Sequence, residues 1–132
     1  MQKALERRKM ERRMMIDLAR AYVDQIMTRK AEPVKVLASA VIGSVARGDF
    51  NQASDIDMII ISDNLPDNPL ARSELLYRDI PPKIEPKAFT PAEFRQMVEK
   101  KNPLAVSALT YGVVLCDTDG LFERGKSPLG QD

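Results

Sequence analysis

Histidine is absent from all 132 residues, and tryptophan with it. The first absence removes His-dependent triads, His–metal sites and imidazole acid–base chemistry together. Catalysis by this chain must therefore rest on carboxylates, Lys or Arg, hydroxyls or a carboxylate-bound metal. Three Tyr and four Phe leave few platforms on which bases could stack, which weighs against single-stranded nucleic-acid binding. Cys116 is alone, so there is no disulfide framework and a reducing cytoplasm fits. Inside "YGVVLCD" a buried structural cysteine is the default over a nucleophile. No apolar run approaches the length of a membrane span, and the charged N-terminal stretch holds no apolar signal-like segment. The expectation is a soluble, cytoplasmic protein that engages no membrane.

What is present reads as one globular domain, with 44% hydrophobic and 30% charged residues. The domain is expected over residues 1–117. Residues 118–132 read as a tail with little to bury, partly mobile at its end. The net charge is +1, but nine Lys or Arg face four Asp or Glu within residues 1–30. That local surplus can mark a nucleic-acid or acidic-partner surface. Glu6, Glu11 and Asp17 are interspersed among the cations, so a solvated helix face is the plainer reading.

Apolar residues recur at helical spacing from Leu5 to Met27, with Met15, Leu18, Ala19, Tyr22, Val23 and Ile26 on one stripe. This predicts a long amphipathic helix ending near Ala31, ahead of Pro33. "VKVLASAVIG" reads as a strand closing at Gly43, and "SVARGDF" as a short helix with Ser44 as N-cap. "DIDMIIIS" is a second strand, whose four consecutive large apolar residues predict burial on both faces. Asn68-Pro69, Thr90-Pro91 with Glu93, and Asn102-Pro103 each carry the signature of a helix start. Pro82 and Pro86 place "PPKIEPKAF" at a sheet edge, and "GVVLCD" is the last strand. The fold class is α/β, a small mixed sheet flanked by helices.

Asp55 and Asp57 stand at positions i and i+2 of a strand, so they project from one face. Two adjacent carboxylates repel and resist desolvation. A divalent cation relieves both, and an oxygen-only donor set suits Mg²⁺ or Mn²⁺ rather than zinc. Mg²⁺ commonly completes its shell with substrate phosphates, which makes a nucleoside triphosphate the natural companion. Gly43 permits a sharp turn and close backbone approach. Ser44 and the N–H groups after it offer an anion-binding helix end, and Arg47 adds a charge-assisted contact. Singly these signals are commonplace: a cap, a solvated charge, a polar strand end. Their joint order is more specific, with ten residues between Ser44 and Asp55.

That order, "GSVARGDFNQASDID", resembles the signature of the nucleotidyltransferase superfamily that includes DNA polymerase beta. With so little chain around it, the sequence is most similar to the minimal nucleotidyltransferase (MNT) branch. The likeness runs from about Val34 to Asp117 and implies a nucleotidyltransferase-like fold. It also implies Mg²⁺-dependent transfer of a nucleoside monophosphate, most often AMP from ATP, with pyrophosphate released. Carried over by position, Gly43 and Ser44 would hold the triphosphate while Asp55 and Asp57 bind metal. Glu85 in "KIEPKAF" best matches the third carboxylate, where many members carry Asp; it would bind metal or take the acceptor's proton. Asp79, near a helix end before a Pro-Pro break, is the poorer match. MNT proteins are commonly paired with helical HEPN proteins, and some act as antitoxins by adding AMP to a HEPN tyrosine. The implied partners are thus an NTP and a HEPN-like protein or a second copy of the chain.

Two other readings compete with the enzyme. A regulatory module would bind nucleotide or partner without turnover, and the departure at Glu85-Pro86 is its sequence support. A nucleic-acid protein would use the basic first helix and show steeply salt-dependent binding. Exposed members of the first helix's stripe, such as Met10 and Met14, are candidates for a dimer or partner face.

Overall fold

The computed structural model describes residues 2–130. In chain order these form α1 (Gln2–Met27), β1 (Val36–Val41), α2 (Gly43–Arg47), β2 (Ile56–Ser62) and α3 (Pro69–Tyr77). There follow β3 (Ile84–Phe89), α4 (Pro91–Glu99), α5 (Pro103–Thr110), β4 (Val113–Asp117) and α6 (Leu121–Gly130). The order agrees with the sequence reading, with α6 added. No helix among the described residues is long and apolar enough to cross a membrane.

The four strands lie in the order β3-β2-β1-β4. β1 is antiparallel to both β2 and β4, while β2 and β3 run parallel. The apolar run of β2 makes it central, since it has apolar side chains for both faces. Ile56, Met58 and Ile60 face a layer built by Ala19, Tyr22, Val23 and Ile26 of α1 with Leu75 and Leu76 of α3. Ile59 and Ile61 face Phe94 and Val98 of α4, Ala105 and Leu109 of α5, and Phe122 of α6. Pro86 sits in edge strand β3, where a missing N–H costs no ladder bond.

Helix starts follow the capping chemistry. The Asn68 side chain accepts from the Leu70 and Ala71 N–H groups, and that of Asn102 from Leu104 N–H. Thr90 and Glu93 close a reciprocal capping box. α1 differs from expectation in two ways. It ends at Met27 rather than near Ala31, because the chain doubles back so that Val34 N–H reaches Ile26 O at 2.8 Å. Glu32, at φ 52°, takes up the reversal. Leu18, expected on the buried stripe, is exposed together with Met10 and Met14.

The reading of 118–132 as having little to bury overlooked Phe122. The Asp117 carboxylate accepts from the Leu121 and Phe122 N–H groups at 2.8 and 3.0 Å and so caps α6. Phe122 is then buried edge-on to Phe94, with centroids 5.7 Å apart. Gln131 and Asp132, where the sequence suggests mobility, lie outside the described residues.

With five residues, α2 is too short to hold itself. Two arginines of α1 secure its C-terminal end. Arg12 donates to Val45 O and Ala46 O, both at 2.8 Å. Arg8 donates to Gly48 O at 2.8 Å and Phe50 O at 2.5 Å, with its guanidinium 4.3 Å from the Phe50 ring centroid. Cations here also suit the negative end of the helix dipole. Ser44 is not the N-cap. Gly43, at φ 70°, begins the helix directly after β1, so Ile42 takes the cap position with no side-chain bond and Ser44 lies within the first turn.

Candidate active site

Strand register brings the acidic residues together. Asp57 of β2 pairs with Glu85 of β3, and Ile59 with Lys87. Because side chains alternate along a strand, Asp57, Glu85 and Lys87 project on the same face as Ile59, toward the α4–α6 layer. Asp55 stands two residues before Asp57, exposed at the mouth of β2. Asp57 and Glu85 are thus neighbours across two adjacent parallel strands, with Asp55 just before them in the chain.

Gly43 closes this cluster from the β1 side. A Cβ at position 43 would lie 2.6 Å from Asp57 Oδ2, and φ 70° disfavours any other residue. Ile42 N–H donates to Asp57 O at 2.9 Å and ties the same two segments through the backbone. The Asp57 carboxyl is pushed above its ordinary value, first by burial, then by the negative charge of Glu85 and, more weakly, Asp55. Lys87 and Arg47 act in the opposite sense. No hydrogen bond from the described residues relieves any of the three carboxylates.

Beside Asp57 lies a cavity of about 260 Å³, walled by Gly43, Arg47, Asp57, Lys87, Ser107 and Tyr111. The Arg47 guanidinium is 5.6 Å from the Tyr111 ring centroid and donates to Tyr111 Oη at 3.1 Å. Tyr111 in turn donates to Ser107 Oγ at 2.9 Å, and Arg47 Nε reaches Asp49 Oδ2 at 3.3 Å. Gly43, Arg47 and Asp57 of the predicted set therefore share this cavity. Ser44, Asp55 and Glu85 do not line it. The Ser44 carbonyl is taken up by the Gly48 and Asp49 N–H groups at 2.8 and 3.1 Å.

Sequence reasoning missed Lys87, Ser107 and Tyr111. Lys87 was within reach of it, standing two residues after Glu85 on an edge strand and so on the same face. Ser107 and Tyr111 carried no signal, because only the packing of α5 onto the sheet brings them beside Arg47.

The donor set is carboxylate only, and its mutual repulsion is what a cation would relieve. Among the described residues, however, no three acidic or cysteine side chains converge closely enough to cage an ion. This combination fits Mg²⁺, which binds through one or two carboxylates and substrate phosphates, better than an ion held by protein alone.

The family model described as "Polymerase beta, Nucleotidyltransferase" matches residues 23–120. The chain belongs to this family. The matched span contains Gly43, Ser44, Arg47, Asp55, Asp57 and Glu85, and the mixed sheet with flanking helices is consistent with the nucleotidyltransferase fold. No curated protein and no solved structure matches the chain. Membership of the polymerase beta family supports nucleotidyl transfer as the activity and a nucleoside triphosphate as substrate.

Proposed function

We propose that this nucleotidyltransferase moves AMP from ATP, with Mg²⁺, to a hydroxyl of a partner protein, as the resemblance to MNT antitoxins of HEPN proteins suggests. The observation that carries the reading is the register that sets Asp57 beside Glu85, with Asp55 at the strand mouth. One or two of these carboxylates, Asp57 first with Asp55, would hold the ion, Mg²⁺ or Mn²⁺, with Glu85 beside them. When bound, it supplies charge neutralisation at the phosphates.

The chain's own groups do the rest. Gly43 lets the phosphates approach the backbone, Ser44 donates from the first turn of α2, and Arg47 contributes a positive charge from its Tyr111 platform. The acceptor oxygen forms a bond to the α-phosphorus as the bond from that phosphorus to the bridging oxygen breaks. Pyrophosphate leaves with the electron pair, and Glu85 takes the acceptor's proton.

The cavity is at the small end for a ligand pocket. It suits a phosphate chain rather than a nucleotide and an acceptor together, so the acceptor comes on another molecule. Met10, Met14 and Leu18 of α1, exposed on one face, offer a place for that partner to rest. A module that binds nucleotide without turnover is the second reading, favoured by the failure of three carboxylates to converge.

Label transfer separates the two. α-Labelled ATP, Mg²⁺ and an extract of the source cell should label one small protein, and Asp57→Ala should abolish the label. Label on RNA or a metabolite would keep the enzyme and discard the protein acceptor. Mg²⁺-dependent ATP binding with no label anywhere would favour the module.

A further inference from the structure

Edge strand β3 brings one cation into the site that neither the Gly-Ser turn nor the acidic pair accounts for. Register pairs Lys87 with Ile59, one alternation along from the Glu85–Asp57 pair. Lys87 therefore stands on the carboxylate face and lines the cavity with Gly43, Arg47 and Asp57. Its charge is felt at Asp57, where it opposes the effect of Glu85. Yet its ammonium makes no hydrogen bond and no salt bridge among the described residues. The side chain is exposed.

A lysine kept only to balance the acidic cluster would be expected in direct contact with a carboxylate. Lys87 is instead an exposed ammonium, unpaired among the described residues, on the same cavity as an arginine that already bonds Tyr111 and Asp49. The Asp57 carboxylate stands on the wall of this space, with Glu85 paired beside it across the strands, so a polyanion enters only where cations compensate. An ammonium with unused donors, on a flexible stem, is suited to following a phosphate chain.

We propose that Lys87 is a phosphate-binding residue, gripping, together with Arg47, the β,γ end of the nucleoside triphosphate and the pyrophosphate once it is released. The proposal rests on the nucleotidyltransferase reading and adds to it a residue outside the motif.

The test is calorimetric binding of Mg·ATP and of AMP to the full chain and to Lys87→Ala and Lys87→Arg. Lys87→Ala should weaken Mg·ATP binding by roughly tenfold or more, the order expected for one charge-assisted contact, and leave AMP binding unchanged. Lys87→Arg should restore most of the loss. Equal loss for AMP, or no loss for Mg·ATP, would overturn the proposal while the activity reading stands. Failure of the wild-type chain to bind Mg·ATP at all would overturn both. Lys87 is exposed, so unchanged thermal melting of the variants is expected and confirms that binding is what moved.

Discussion

Gly43 packs its bare Cα against the carboxylate of Asp57, so closely that a Cβ would stand 2.6 Å from Oδ2. The contact joins the turn after β1 to the strand that carries the acidic cluster. It makes glycine a requirement of the site's shape on two grounds, space and a left-handed φ of 70°.

Gly43→Ala should therefore cost both stability and function. Strain at a left-handed position together with the overlap should lower unfolding free energy by about 1–3 kcal/mol. Urea denaturation measures this. Nucleotide binding should fall further than the loss of stability explains, because Asp57 must move; equal affinity in a folded variant would show that the contact does not shape the site.

Asp57 should make the metal-free protein less stable as pH rises. Its folded-state carboxyl titrates above the ordinary value near 3.8, through burial and then Glu85. Folding thus favours the protonated form, and this contribution is lost as pH climbs from the ordinary value through the raised one. Asp57→Asn should accordingly raise the melting temperature at pH 7 in the absence of divalent ions, and change it little near pH 3. Added Mg²⁺ with ATP should stabilise the wild type and not the variant. A melting temperature for Asp57→Asn below that of the wild type at pH 7 would contradict this.

Arg12 should matter more than its place on a distant helix suggests. It supplies two donors to α2 carbonyls, at Val45 and Ala46, and Arg47 sits one residue beyond. Arg12→Ala should cost about 2 kcal/mol, in the range for hydrogen bonds from a charged group. Arg12→Lys should recover only part, since one ammonium cannot reproduce a guanidinium fork. Chemical denaturation of the two variants side by side is the check.

Legibility in the sequence followed the range of the interactions involved. Central β2 could be read from Met58–Ile61, and the edge position of β3 from Pro82 and Pro86, because burial and hydrogen bonding act on those residues locally. Asn68, Thr90 and Asn102 announce their helices for the same reason. Ser44 reads as a cap in the sequence but is not one, because nothing in the letters shows that Gly43 turns early enough to start α2 itself. Leu18 follows the helical period yet is exposed, while Ala19, Tyr22, Val23 and Ile26 of the same stripe are buried. The spacing of Gly43, Asp55 and Asp57 is legible in the sequence, whereas Tyr111 and Ser107 reach Arg47 only through the packing of α5.

Glu85 gives the most direct test of the central claim, that the Asp57–Glu85 pairing serves nucleotidyl transfer. The measurement is pyrophosphate release from ATP with Mg²⁺ and source-cell extract, for the wild type and Glu85→Gln, alongside ATP affinity. Removal of the proton acceptor should reduce release by about a hundredfold or more, with ATP affinity within a few fold of the wild type. Wild-type release from the Glu85→Gln variant would contradict the assignment and leave the paired strands without a role in the chemistry.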